Sequence, residues 1–175
     1  MIDYLVIFVE GKIDELFMDN LFGRKLLLFG DNYKIISYSN KKRKSVNEYI
    51  NSFKSIDNSD YIFIFDQDGN NNKVQKVKNT YSNLSLNKMF ISIYEIESWI
   101  ISGISDRIIK KYKIKYNYSN TSCVTKEIFD TMIPSKMDKL EFISSIIDEY
   151  DINLAINRNE SLKTFYNYLL QKKAS

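Results

Sequence analysis

Six acidic residues stand where short apolar runs end. Glu10 follows Tyr4–Val9, with Asp14 four residues on; Asp66 and Asp68 follow Tyr61–Phe65; Glu95 and Glu97 close a run that begins at Lys88. Carboxylates gathered in one place repel one another and raise each other's pKa unless a cation sits among them. Mg²⁺ suits such a place, being small, hard and content with a few carboxylates, water and phosphate oxygens, and Mn²⁺ can substitute for it. Two such ions about 4 Å apart can clamp the attacking and leaving oxygens of a phosphodiester. A pair at i and i+2 aims both carboxylates at one ion if the chain turns there, and Gly69 supplies the turn. Taken alone, Glu10-Gly11 or Asp66-x-Asp68-Gly69 reads as an ordinary turn. Their joint occurrence on successive runs points to a metal site.

The elements that must position these acids alternate. Tyr4–Val9 and Tyr61–Phe65 are continuous apolar runs of strand length, as in strands buried on both faces. Lys34–Tyr38 and Lys88–Tyr94 read as two further strands. Between them, Ile13, Leu16, Phe17 and Leu21, then Val46, Tyr49, Ile50 and Phe53, recur at helical spacing, and Lys73–Tyr81 and Glu97–Ile104 read as helices. This predicts an α/β fold, a mainly parallel four-stranded sheet flanked by helices. In such a sheet every strand ends at the same edge, where α/β proteins bind ligands. Past residue 104 the strand signal fades. Met137, Leu140, Ile143, Ile147 and Tyr150 mark a helix opened by Pro134 and Ser135. Leu162, Phe165, Tyr166 and Leu169 mark another, capped by Asn159 or Ser161. The expected layout is an α/β core over 1–104 and an α-helical C-terminal part over 105–175 packed on it.

Composition narrows the chemistry. The chain has 175 residues, one Cys and no His. A single thiol, Cys123, excludes an internal disulfide framework, and the absence of His excludes Ser-His or Cys-His nucleophile pairs and His-ligated zinc. Catalysis must run on carboxylates, Lys, Tyr or hydroxyls. No apolar run approaches the ~18 residues of a membrane span, and the opening Met-Ile-Asp-Tyr has no basic n-region, so the expectation is a cytoplasmic protein. The net charge is +3, from 25 basic and 22 acidic residues. With the six clustered acids screened by metal, the other 16 leave the basic residues about nine in excess, which suits a nucleic-acid partner. Lys41, Lys42, Arg43 and Lys44 form a basic run that can contact backbone phosphates or simply be a solvated loop. Lys110 and Lys111 open a Lys/Tyr-interleaved stretch reaching Tyr116, fitted to phosphate contacts and base stacking or to an exposed helix face. Lys12 sits at a helix start beside Glu10, where an anion is favoured. Trp99 reads as core.

The segments Phe8-Val9-Glu10-Gly11-Lys12-Ile13-Asp14 and Ile64-Phe65-Asp66-Gln67-Asp68-Gly69 resemble the motif pair of the Toprim domain. That domain occurs in topoisomerases, bacterial primases, the 5S-rRNA maturation ribonuclease and the overcoming-lysogenization-defect nucleases. The likeness covers about residues 1–100. Ile93-Tyr94-Glu95-Ile96-Glu97-Ser98-Trp99, Pro134-Ser135-Lys136 and Asn157–Phe165 are similar to small stand-alone Toprim-like proteins near the last of these groups. The resemblance implies that Glu10 is a metal ligand or general acid/base, that Asp66 and Asp68 bind metal, and that Asp14 adds a further acid. It implies that Glu97, or else Glu95, is the extra acid of the nuclease branch, and that Lys136 takes the place of a late catalytic lysine. The activity it implies is a Mg²⁺-dependent nuclease acting on DNA or RNA, in a setting compatible with phage or plasmid defence beside an ATPase partner protein. The alternatives are an RNA-processing ribonuclease like the 5S-rRNA enzyme, or a non-catalytic Toprim-like subunit that binds and regulates an ATPase partner.

Overall fold

The computed structural model describes residues 4–23, 32–115 and 119–174. The chain divides into two compact units, one formed by Met1–Ile91 with Asn167–Ser175 and the other by Ser92–Tyr166.

The first unit alternates strand and helix: β1 (Tyr4–Val9), α1 (Lys12–Gly23), β2 (Tyr33–Ser37), α2 (Arg43–Ser52), β3 (Ser59–Asp66) and α3 (Lys73–Thr80), leading into β4 (Met89–Ser92). The four strands form one parallel sheet in the order β2-β1-β3-β4. β1 therefore lies inside the sheet, pairing with β2 from Leu5↔Tyr33 to Val9↔Ser37 and with β3 from Tyr4↔Ser59 to Phe8↔Phe63. A strand so placed must be apolar on both faces, and Leu5 to Val9 are all buried. Phe63 of β3 stacks on Phe8 (5.8 Å between centroids) and on Tyr38 (4.4 Å), which ties the ends of β1, β2 and β3 together through aromatic contacts. β4 is shorter than the Lys88–Tyr94 run expected for it. Ile93 and Tyr94 are exposed and the chain has left the sheet before them.

The second unit is helical: α4 (Glu97–Ser102), α5 (Asp106–Tyr112), α6 (Lys126–Asp130), α7 (Lys139–Asp148) and α8 (Ile152–Arg158) are followed by α9 (Glu160–Ala174), whose last turns belong to the first unit. α4 packs with α6, α7 and α8. Trp99 is fully buried, stacks on Phe165 at 5.4 Å and donates its indole N–H to the Ser161 hydroxyl at 2.8 Å. Asn159 caps α9 by accepting the Leu162 N–H at 3.1 Å. α7 begins later than Pro134-Ser135 suggests. Pro134 instead accepts a turn hydrogen bond from the Met137 N–H, and Asp138 and Glu141 form a reciprocal capping box that starts the helix at Lys139. Among the described residues no helix is long and apolar enough to cross a membrane.

Candidate metal centre

β1 and β3 are neighbours, so the residues that follow them emerge at the same sheet edge. Phe8 pairs with Phe63, and Glu10 and Asp66 lie two and three residues beyond those positions. The backbone of Glu10 is pinned from β2: its carbonyl accepts the Ser37 hydroxyl at 3.1 Å and the Ser39 N–H at 3.3 Å. Its side chain is held less: Glu10 Oε2 is buried and has no hydrogen-bond partner among the described residues. Leaving a buried acceptor bare costs about 1–3 kcal/mol, and more when it is charged.

Asp14 is buried in the first turn of α1, and its carboxylate accepts the Gly11 N–H, so it caps the helix that follows Glu10. Asp66 ends β3. Beyond it the chain reverses through two left-handed residues, Asp68 (φ 52°) and Gly69 (φ 63°), with the Asn70 N–H closing on the Gln67 carbonyl at 2.9 Å. Gly takes such a φ freely; Asp takes it at some cost. The turn sends Asp68 back toward α3, where its carboxylate forms an ion pair with Lys73.

Electrostatics define the neighbourhood. Burial pushes the Tyr38 phenol far above its ordinary range, and the charges of Glu10, Asp14 and Asp66 add to that. Burial also raises Tyr81, with a further push from Glu10 against the opposing pull of Arg43. Burial works against the Lys73 ammonium, but Asp68, Glu10 and Asp66 together outweigh it and hold Lys73 above the usual lysine range. The charges of Glu10, Asp66 and Asp68 thus all bear on Lys73, which touches Asp68, and those of Glu10, Asp14 and Asp66 bear on Tyr38.

Glu95 and Glu97 belong to the second unit. Glu97, the first residue of α4, is 4% exposed, and its carboxylate lies 2.8 Å from Lys139 Nζ. The same ammonium is 2.9 Å from Asp130 and stands over the Phe129 ring. Glu95 accepts the Lys126 N–H at the start of α6. Burial raises its pKa, partly offset by that hydrogen bond.

The basic residues proposed for phosphate contact face solvent. Lys12 pairs with Glu15 at 3.2 Å, and Lys41, Lys42, Arg43 and Lys44 lead into and begin α2. Lys110 and Lys111 occupy the last turn of α5, with Lys111 over the Tyr112 ring; Tyr116 lies outside the described residues. Lys136 is exposed in the turn before α7. Sequence reasoning missed Tyr38, Lys73 and Lys139. Lys73 had a local signal, since it opens the helix just past the Asp-Gly turn. Lys139 had none, because its acid partner Glu97 is distant in sequence.

Among the described residues no group of three or more acids is placed so that it could hold a metal ion. What a hard cation would find at this edge is oxygen donors only, one of them a buried Glu10 oxygen without a partner among the described residues. Comparisons of the chain with family models, with curated proteins and with solved structures find no match.

Proposed function

We propose that this protein is a Mg²⁺-dependent nuclease of the Toprim-like kind, cleaving phosphodiester bonds in DNA or RNA. The observation that carries the reading is the bare, buried Glu10 oxygen at the sheet edge where Asp66 and Asp68 also emerge. Glu10, Asp66 and Asp68 would hold the ion. When bound, the ion supplies an activated water and offsets charge on the phosphate. Glu10 alternatively holds the proton that the attacking water gives up, since carboxylates are the bases this His-free chain has at that edge. Asp14 supports Glu10 by fixing the start of α1. Lys12, Lys41, Lys42, Arg43 and Lys44 lie in the same unit, exposed, and supply sequence-blind contacts to the phosphate backbone. Glu97 is left out of the ligand set: it belongs to the second unit, where it is buried and paired with Lys139. A defence role beside an ATPase partner follows only from the resemblance.

The test is incubation of the purified chain with plasmid DNA and with structured RNA, in Mg²⁺, Mn²⁺ or EDTA. Cleavage is expected with either metal, none in EDTA, and a loss of at least about a hundredfold in the Asp66→Asn/Asp68→Asn double variant. Cleavage that persists in EDTA, or no cleavage of either nucleic acid, defeats the proposal.

A further inference from the structure

We propose that the second unit carries a groove for unpaired nucleic acid, in which Lys113 and Lys115 take phosphates and Tyr112 offers its ring to a base. This rests on the nucleic-acid partner of the reading above and names the form in which that partner is held, a single strand. Between residues 105 and 115 the chain has five basic residues and one acid, Asp106. α5 ends in a left-handed residue, a position usually given to Gly or Asn because a longer side chain is crowded there. Here it is Lys113 (φ 52°), whose N–H closes on the Ile109 and Lys110 carbonyls. Beyond it Ile114 is buried, while Lys113 and Lys115 on either side stay exposed along a groove of about 360 Å³. Tyr112 lines the same groove, with the Lys111 ammonium over its ring at 4.8 Å. The turn after α6 supplies the rest of the lining with uncharged residues, among them Thr131, Ile133 and Pro134. Elsewhere in this unit the cations are answered: Arg107 pairs with Glu149, and Lys139 with Glu97 and Asp130. Among the described residues Lys113 and Lys115 have no carboxylate partner, and no acid lines their groove. A second groove that shares Tyr112 is lined by Asp138, Glu141 and Asp148, so a polyanion is drawn to the first and kept from the second. The concavity decides the form. A duplex keeps its bases stacked inside and cannot lay one against a tyrosine in a narrow groove, whereas an unpaired strand can.

The test is fluorescence anisotropy of the full chain with a short labelled oligothymidine and with a blunt DNA duplex, in EDTA so that nothing is cut, over a series of salt concentrations. Wild type should bind the single strand more tightly than the duplex. The Lys113→Gln/Lys115→Gln variant should bind the strand about tenfold more weakly at low salt, and the slope of log affinity against log salt should flatten by about 1.4, about 0.7 for each lost phosphate contact. Lys54→Gln/Lys76→Gln removes the same charge from two exposed lysines of the first unit and should track wild type. A second measurement needs no variant: bound oligothymidine should slow reductive methylation of Lys113 and Lys115 severalfold relative to Lys54, read by mass spectrometry. Strand binding by Lys113→Gln/Lys115→Gln equal to wild type, a wild-type preference for the duplex, or methylation unchanged by the strand overturns the inference and leaves the metal-dependent cleavage reading intact. Strand binding of the expected kind with no cleavage in Mg²⁺ or Mn²⁺ defeats the cleavage reading and upholds the groove.

Discussion

The two ends of β3 treat their acids in opposite ways. Near its start, Asp60 faces two ammonium groups, an ion pair with Lys88 and a second with Lys172 at 3.6 Å. Both lysines also stand within 6 Å of the Tyr168 ring centre, and burial together with the Asp60 charge pushes the Tyr168 phenol up to about 12. At the other end, the charges of Glu10, Asp66 and Asp68 bear on the ammonium of Lys73, and a buried Glu10 oxygen has no partner among the described residues. The first arrangement closes its charge and fastens the last turns of α9, which belong to the same unit, to the sheet. The second leaves a buried Glu10 oxygen bare beside a half-buried Asp66 and an exposed Asp68, which costs stability. Stability alone accounts for Asp60. It does not account for Glu10.

Asp60→Ala should give the largest effect. It leaves Lys88 and Lys172 without their acid in a site where the Asp60 side chain is 13% exposed and Lys88 14%. A loss of about 3 kcal/mol is expected in urea unfolding, since breaking a largely buried pair strands the opposite charge. A loss below about 0.5 kcal/mol would mean the cluster is a surface ornament and would erase the contrast. Glu97→Gln comes next. The second unit has its own closed cluster, and this change leaves Lys139 with Asp130 alone. The expected cost is about 1–2 kcal/mol, smaller than at Asp60 because the Gln side chain still accepts a hydrogen bond. Glu10→Gln should go the other way in EDTA: no loss, and a gain of up to about 1 kcal/mol as repulsion falls. The same variant should lose most of the metal-induced rise in melting temperature. A clear loss of stability in EDTA would make Glu10 another structural acid.

The sheet was legible because inner parallel strands must be apolar on both faces, and Tyr4–Val9 and Tyr61–Phe65 are unbroken apolar runs. Once those strands were placed, the shared edge for Glu10, Asp66 and Asp68 followed from the parallel arrangement. What the chain order hid were the cations. Lys88 lies 28 residues from Asp60 and Lys172 much further; Lys139 is likewise remote from Glu97. Such pairs depend on tertiary placement, which charge patterning along a helix does not report. The start of α7 was misjudged for a local reason. Pro134 looked like a helix opener, and the Asp138/Glu141 capping box was the stronger signal.

Glu95 is the intermediate case, and the smallest effect is expected there. Its carboxylate is held by a backbone N–H, that of Lys126, and pairs with no ammonium among the described residues. Burial and the neighbouring charges of Glu97 and Glu127 raise its pKa above the ordinary 4.5, against the lowering by that hydrogen bond. An acid with a raised folded pKa keeps its proton longer in the native state than in the unfolded one. Just above pH 4.5 the native state therefore binds more protons, and Glu95 makes stability fall as pH rises through the interval up to its folded pKa. Glu95→Gln keeps an oxygen for the Lys126 N–H and removes the charge. Urea unfolding of the two proteins across that interval should show the wild-type stability dropping relative to the variant. The gap should level off near neutral pH at about a few tenths of a kcal/mol, because solvent still screens a group that is only partly buried. Parallel curves would show that Lys126 balances the cost of burial. Glu95 would then join Asp60 among the acids whose charge is fully answered, leaving Glu10 as the contrast.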